Sequence, residues 1–280
     1  MRRRLEPKAR SGASGERVSR RRGGSAEFDE HRPYAPGDDP RRIDWLAYAR
    51  TGEPVVKQFR AEEDVVLRLL LDGSASLGFG EPRKIDTARR LAAAIGYLAL
   101  AGSQRAQVLI AGGREGSAGL TQVAAPKRGR SALASLLREL VRVEPLGQVD
   151  LSRSLDQVQL AARRPGLLVV MSDFYDAGPV LQALGRARAA GHDLCLIQIL
   201  SREELEPELE GDFTFVDAET GQRVELTLDA DAKDAYVARL TGLIEELRVF
   251  ARRHAACYLR VVSGEPLEPV VRRFVAREVD

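Results

Sequence analysis

From Val65 onward, the apolar residues of the chain follow two different patterns. Residues 65–71 form a near-continuous apolar run, which is typical of a strand buried on both faces of a parallel sheet. In residues 83–102 the apolar side chains return at helical spacing and predict a helix. Because strands and helices continue to alternate, the sequence predicts an α/β fold with a mostly parallel sheet and helices on both faces.

The same two patterns place the other elements of this fold. Further strands are predicted at residues 106–111, 120–124, 166–172, 193–200 and 257–262. Further helices are predicted at residues 130–141, 151–163, 179–190, 230–254 and 268–277. Two short segments, 213–216 and 223–228, flank the turn sequence Glu219-Thr220-Gly221 and predict a hairpin inserted into the alternation.

Charge separates a basic head from the rest of the chain. Residues 1–22 hold nine Lys and Arg and two acids, whereas the whole chain of 280 residues carries 43 basic and 41 acidic side chains. A polar, basic segment of this composition is typical of a flexible tail. A tail that binds an acidic partner or nucleic acid is the alternative, but the segment lacks the interleaved aromatic residues that stack on bases.

Residues 23–64 are predicted to form an N-terminal extension of the domain at 65–280. The centre of this extension, 36–40, reads Pro-Gly-Asp-Asp-Pro, a composition typical of a turn. Residues at helical spacing and then a short predicted strand at 55–59 follow it. Its opposite charges indicate either a clamp onto the main domain, with Trp45 as the anchor, or a partner-binding surface. The candidate residues of that surface are Arg32, Asp38, Asp39, Arg41 and Asp44.

Several protein classes are disfavoured by composition. The longest near-apolar stretch, 91–101, is shorter than the roughly 20 residues that span a membrane, and no signal peptide is visible, so we expect a soluble cytoplasmic protein.

Gly112-Gly113 is not followed by Lys-Ser or Lys-Thr and is not a phosphate-binding loop. Cys195 and Cys257 lie in predicted strands and are expected to be buried thiols.

The most distinctive chemistry follows the first strand of the predicted sheet. Asp72-Gly73-Ser74-Ala75-Ser76 comes directly after residues 65–71, and Asp173 follows the strand at 166–172. Ligands of open parallel sheets bind beyond the carboxyl ends of the strands. Carboxylate and hydroxyl oxygens suit Mg²⁺ or Mn²⁺. The alternative is that Ser74 and Ser76 only hydrogen-bond the loop and cap the next helix.

Two resemblances make this interpretation more specific. Asp-x-Ser-x-Ser after the first strand resembles the metal-ion-dependent adhesion site of von Willebrand factor A domains. The N-terminal segment Arg32-x-Tyr34-x-Pro-Gly-Asp-Asp-x-Arg41-x-Ile-Asp-Trp45, together with that motif, resembles the bacterial family called domain of unknown function 58. The resemblance implies a von Willebrand A-type, Rossmann-like domain at 65–280.

The resemblance also implies a partner and a set of metal ligands. Members of the family resemble the partner subunits of MoxR-type AAA+ ATPases, which remodel or mature other proteins. It implies a metal held by Asp72, Ser74, Ser76, a threonine of a later loop and Asp173, with an acidic side chain of the partner completing the shell. At the threonine this sequence departs from the family pattern, because Val149 occupies that position and offers no oxygen.

These features favour a non-enzymatic interaction or scaffold protein that acts with a MoxR-type ATPase on an unidentified client. The expected cofactor is weakly bound Mg²⁺ or Mn²⁺, and no membrane is expected as a partner. One alternative is a metal-dependent phosphoryl-transfer enzyme with Asp72 as its nucleophile. That chemistry normally needs an acid two residues later, where Ser74 stands. The other alternative is nucleic-acid binding through residues 1–22.

Overall fold

The structure is a computed structural model that describes residues 27–60, 65–113, 118–162, 164–207 and 211–280. These residues belong to two compact units. The N-terminal unit lies within Ala9–Asp64, and the α/β domain runs from Val65 to Asp280. The predicted basic tail at 1–22 lies outside the described residues. The packing of residues 23–64 onto the main domain, with Trp45 as anchor, stays a prediction.

The N-terminal unit is a hairpin with a short helix in its connection. Strand β1 (Glu27–Pro33) pairs antiparallel with β2 (Val55–Arg60), and α1 (Trp45–Thr51) lies between them in sequence. Asp44 caps α1, because its carboxylate accepts hydrogen bonds from the backbone N–H groups of the second and third helical residues. The strand predicted at 55–59 is confirmed. The sequence did not predict β1, because its residues are mostly charged and lack a clear alternation.

The α/β domain contains the remaining elements. Its described strands are β3 (Val66–Gly73), β4 (Arg105–Gly112), β5 (Leu120–Val123), β6 (Lys127–Arg128), β7 (Leu167–Ser172), β8 (Asp193–Leu200), β9 (Gly211–Val216), β10 (Arg223–Leu228) and β11 (Cys257–Val262). Its described helices are α2 (Lys84–Ala101), α3 (Leu133–Val141), α4 (Leu151–Ala161), α5 (Ala177–Ala189), α6 (Arg202–Leu205), α7 (Ala230–His254) and α8 (Leu267–Ala276).

The predicted elements match these bounds to within a few residues, with two kinds of difference. The helix predicted from residue 130 begins at Leu133, because Arg130–Ala132 forms a 3-10 turn. The 3-10 turn Ala75–Gly78, the two-residue strand β6 and the single-turn helix α6 were not predicted, since such short pieces show no periodicity. The predicted fold class, a mostly parallel sheet with helices on both faces, is confirmed.

The order of strands in the main sheet is β11-β8-β7-β3-β4-β5, with β6 also paired to β4. The β11–β8, β8–β7, β7–β3 and β3–β4 pairs are parallel, whereas β5 and β6 run antiparallel to β4. With β6 left aside and the other six strands counted along the chain, the spatial order is 3-2-1-4-5-6. This is the doubly wound order, in which successive strands are added in opposite directions on the two sides of the boundary between β3 and β7.

The core lies on both faces of this sheet. All eight residues of β3 are buried, and their side chains alternate between two clusters: Leu69 and Leu71 face one, and Leu70 faces the other. The first cluster includes buried residues of α2, α3 and α8, and the second includes those of α4, α5 and α7. The continuous apolar run at 65–71 therefore marks a strand with helices on both sides, as the sequence indicated.

Two other sequence predictions are confirmed in this domain. Strands β9 and β10 form an antiparallel hairpin separate from the main sheet, and most of the described side chains of β9 are exposed. Cys195 and Cys257 are buried free thiols on β8 and β11 and are direct partners in the parallel register. Among the described residues, no helix combines the length and apolar character required to cross a bilayer.

Candidate functional site

The loop after β3 holds three of the predicted site residues close together. Asp72 is buried near the end of β3, and its Oδ1 accepts a hydrogen bond of 2.9 Å from the backbone N–H of Ser74. The hydroxyl oxygens of Ser74 and Ser76 lie 2.9 Å apart. Ser74 precedes the 3-10 turn, but its side chain makes no capping hydrogen bond. The alternative that Ser74 caps the next helix is therefore not supported, whereas the hydrogen bond between the two serines agrees with its other part, hydrogen bonding within the loop.

Close backbone packing fixes this loop in place. A Cβ atom on Gly73 would lie 2.8 Å from the Ala111 carbonyl oxygen and 2.9 Å from the Gly113 nitrogen, so only glycine fits there. The loop that precedes α4 runs alongside and exchanges backbone hydrogen bonds with it, from Leu146 N–H to Gly73 and from Ala75 N–H to Gly147, each 2.9 Å long. The positions of the two serines are thus set by rigid neighbouring backbone.

Strand β7 brings the second carboxylate to the same edge of the sheet. Ser172 ends β7 and donates a hydrogen bond of 2.6 Å from its hydroxyl to Asp72 Oδ2, and the buried Asp173 follows it. Asp72, Ser74, Ser76 and Asp173 therefore meet where β3 and β7 lie side by side and the strand order reverses. We refer to these four residues as the switch-point site.

Burial and like charge oppose the ionisation of Asp72. Loss of hydration and then repulsion from Asp173 raise the pKa of Asp72 to about 6, although hydrogen bonds from Ser172 and Ser74 lower it. An ionised carboxylate at this position is therefore destabilising unless a positive charge lies nearby. Perturbed carboxylates of this kind cluster at functional sites.

A buried lysine, which the sequence reasoning missed, lies at the edge of the site. The Lys84 side chain is fully buried at the start of α2, and its Nζ lies 2.9 Å from Asp173 Oδ2 and 2.6 Å from Glu204 Oε1. Burial works against the lysine charge, but the two carboxylates outweigh it and raise the pKa of Lys84. The one sequence signal was a lysine at the start of a helix whose inner face is apolar.

The charges of this cluster do not cancel. Lys84 balances one of the three carboxylates Asp72, Asp173 and Glu204, so two negative charges remain when all of them are ionised. Glu204 cannot turn away easily, because its other oxygen accepts a hydrogen bond of 2.7 Å from the Ser201 N–H in a capping box. A residual charge of this size is what a divalent cation would neutralise.

The tip of the β9–β10 hairpin also reaches the site, which sequence reasoning did not foresee. The Glu219 carboxylate approaches the Ser76 hydroxyl, and this contact lowers its pKa. Burial, followed by repulsion from Asp72 and Asp173, raises the pKa of Glu219 to about 7. The sequence indicates only a turn at Glu219, because the approach of a hairpin tip to a distant loop leaves no local pattern.

Exposed apolar side chains lie on the segments that carry the site residues. Phe79 ends the 3-10 turn after Ser76, Tyr175 lies two residues after Asp173, and Leu146 is hydrogen-bonded through its backbone to Gly73. Each of the three side chains is between 43% and 51% exposed. An acidic centre with apolar neighbours is suited to binding another protein.

The loop before α4 offers no further ligand. Val149 packs against the core cluster that contains Leu70 and Leu151, so its side chain contributes apolar contact. Asp150 caps α4, because its Oδ1 accepts hydrogen bonds of 2.8 Å from the Arg153 N–H and 2.9 Å from the Ser152 hydroxyl. The adjacent carboxylate therefore does not replace the oxygen that Val149 lacks.

The donor set agrees in chemistry with a hard cation. Two carboxylates and two hydroxyls supply oxygen atoms only, which suits Mg²⁺ or Mn²⁺. The excess of buried negative charge points the same way. Within the described part of the chain, no group of three His, Cys, Asp or Glu side chains could hold a metal, so such an ion would depend on the serine hydroxyls. The oxygen donors are therefore of the kind that bind a hard divalent cation.

The five residues predicted to bind a partner through the N-terminal unit all make local contacts. Arg32 pairs with Asp38 at 2.8 Å, and this contact lowers the pKa of Asp38. Asp39 accepts a hydrogen bond of 3.0 Å from the Arg41 N–H, and Asp44 caps α1. These contacts shape the connection between β1 and β2. The binding of a partner by these residues stays a prediction.

A doubly wound α/β domain with a polar site at its switch point is thus the class of protein that the fold and the site define. Residues 30–243 match the family described as "Protein of unknown function DUF58", and the chain belongs to this family. An uncharacterized protein of Mycobacterium tuberculosis is 37% identical over 221 residues, which cover 76% of this chain and 67% of the relative. One of Mycobacterium avium is 35% identical over 122 residues, covering 42% and 70%.

Solved structures are also similar to this chain. The conserved hypothetical protein BatB from Bacteroides thetaiotaomicron has 13% identity and a TM-score of 0.48, covering 76% of this chain and 98% of that protein. A von Willebrand factor type A structure from Catenulispora acidiphila has 17% identity and a TM-score of 0.46, covering 79% and 44%. The family assignment rests on the sequence match.

Proposed function

We propose that this protein is a non-enzymatic interaction partner of a MoxR-type AAA+ ATPase and binds through the switch-point site. The observation that carries the proposal is the site itself. Two buried carboxylates and two hydroxyls lie at a strand-order reversal, next to exposed apolar side chains. In the cytoplasm, this protein and the ATPase would together remodel or mature a client protein, as the family resemblance implies.

Asp72, Ser74, Ser76 and Asp173 would hold Mg²⁺ or Mn²⁺ in this account. The ion would supply positive charge to which an acidic side chain of the partner binds. Asp72 keeps its orientation through the hydrogen bonds from Ser172 and Ser74, and Lys84 holds Asp173. These side chains therefore keep the oxygen atoms in place before any partner arrives.

The phosphoryl-transfer alternative lacks one of its parts. An aspartate nucleophile at Asp72 would need a general acid two residues later. The residue there is Ser74, whose hydroxyl contacts Ser76. The nucleic-acid alternative depends on residues 1–22, which contain no aromatic residue to stack on bases. We therefore favour protein interaction over both.

Metal binding can be tested by adding the missing oxygen. We expect Val149→Thr to tighten Mn²⁺ binding by roughly tenfold in titration calorimetry, because a fixed ligand replaces a water molecule. The contact of Val149 with the core reduces this gain if the hydroxyl turns inward. The double variant Val149→Thr/Asp72→Ala should abolish the gain. The absence of any heat of binding in both the wild type and Val149→Thr would contradict metal binding.

Co-purification tests the partner. The full-length protein is used as bait in its native host, in the presence of ATP or a non-hydrolysable analogue. We expect enrichment of a MoxR-type ATPase over a control bait, and stronger enrichment with nucleotide than without it. The absence of any enriched AAA+ protein under both conditions would contradict the proposed partnership.

A further inference from the structure

The β9–β10 hairpin is an insertion whose tip approaches the switch-point site from a distant part of the chain. Ser76 and Glu219 are far apart in sequence, yet the Glu219 carboxylate lies close enough to the Ser76 hydroxyl for that contact to lower its pKa. At the tip of the hairpin, Glu219 is half-buried whereas the residues from Asp217 to Gly221 on either side of it are exposed. The burial of this one tip residue agrees with its contact with the site.

The turn that presents Glu219 is preorganised. Asp217 Oδ1 accepts hydrogen bonds of 2.9 Å from the Glu219 N–H and 2.7 Å from the Thr220 N–H. Gly221 has a φ of +71°, a conformation that favours glycine, and its N–H donates to the Asp217 carbonyl oxygen. The carboxylate of Glu219 is therefore aimed by a rigid turn and needs little ordering on reaching Ser76.

Strand β9 buries little of its side-chain surface. An isolated two-stranded hairpin is marginally stable in water, and most of the described side chains of β9 are exposed. The hairpin also lies outside the main sheet, as a separate two-stranded sheet. Its tip can thus leave the site without breaking any strand pairing of the main sheet.

We infer that the hairpin tip is an intramolecular occupant of the switch-point site, in which Glu219 takes the place of a partner's acidic side chain. This inference rests on the proposed function, because it assigns regulation to the same site. The partner must displace the tip before its own acidic group reaches Ser76. The hairpin therefore restrains binding until a partner competes for the site.

Hydrogen exchange of the free protein tests the occupant directly. The variant is Glu219→Ala, and the matched control is Glu225→Ala, which removes an exposed glutamate from β10 of the same hairpin. Loss of the contact should speed exchange of the Leu77 and Phe79 amides, which are hydrogen-bonded within the site loop, and of the Ala75 amide, which donates to Gly147 in the loop before α4. We expect about a tenfold increase, the usual effect of losing a hydrogen bond to a charged group. Glu225→Ala should match the wild type.

If Glu219→Ala leaves these amides as protected as in the wild type and in Glu225→Ala, the inference is overturned. Binding to the purified ATPase provides the second measurement. We expect Glu219→Ala to bind several-fold more tightly than Glu225→Ala, because it has no internal competitor. Faster exchange with no ATPase binding by any variant would support the occupant and contradict the proposed partner, so the two failures are distinguishable.

Discussion

At the scale of single residues, the site consists of charges that would be unfavourable in an ordinary core. Asp72 is buried beside Asp173, and its pKa is raised to about 6 from an ordinary value of 3.8. The folded protein thus holds this proton more tightly than the unfolded chain does. The free energy of unfolding therefore falls as the pH rises from about 4 to about 6. Above that pH it stays lower, and Asp72 accounts for about 3 kcal/mol of the difference.

Removal of this charge should stabilise the metal-free protein. We expect Asp72→Asn to raise the free energy of unfolding by about 1–3 kcal/mol at pH 8 in EDTA, because the amide needs no ionisation in the buried site. The gain should disappear near pH 4, where Asp72 is protonated in the wild type. Denaturant unfolding at both pH values measures the difference. Asp156→Asn, at an exposed carboxylate paired with Arg186, is the control.

A net loss of stability in Asp72→Asn at pH 8 would contradict the account. Such a loss would mean that the hydrogen bonds from Ser172 and Ser74 outweigh the burial of the charge.

Lys84 presents the opposite case, a buried charge with partners. We expect Lys84→Met to destabilise the protein by about 3–5 kcal/mol at pH 8, because Asp173 and Glu204 then lose their buried counter-charge. The matched control is Lys127→Met, since Lys127 also contacts a carboxylate, Glu139, but is one-third exposed. That substitution should cost about 1 kcal/mol or less. Equal losses in the two variants would contradict a special role for Lys84.

At the scale of elements, periodicity predicted the long elements well and the short ones poorly. The bounds of β8, α7 and β11 follow directly from their apolar patterns, because each packs a long regular face against the core. Strand β1 is held by its pairing with β2, and a mostly charged strand has no apolar alternation of its own. Pairing between distant segments is a tertiary property that local sequence does not encode.

The thiols provide a test of the burial of β8 and β11. Cys195 and Cys257 are buried partners on β8 and β11, and burial raises the pKa of the Cys195 thiol. We therefore expect neither thiol to react with a labelling reagent in the native protein and both to react after denaturation. Ser131→Cys, at an exposed position in the 3-10 turn before α3, should add one promptly labelled thiol as a positive control. Prompt labelling of the wild type would contradict the placement of these strands in the core.

At the scale of the whole molecule, the doubly wound topology creates the site. Asp72 and Asp173 were predictable from the sequence, because each directly follows an apolar strand and parallel strands end at the same edge. Lys84, Glu204 and Glu219 were not, because they reach the site from α2, from α6 and from the hairpin tip. Their roles depend on packing between elements that are distant in the chain.

The central claim is that the switch-point site binds the partner, and one measurement separates this role from folding. The affinity of the purified MoxR-type ATPase is measured for the wild type and for Asp72→Asn, in Mg²⁺ with a non-hydrolysable ATP analogue. The account predicts that Asp72→Asn, although at least as stable as the wild type in EDTA, binds at least about tenfold more weakly, because an essential charged oxygen is lost. Equal affinities for the two proteins would contradict it.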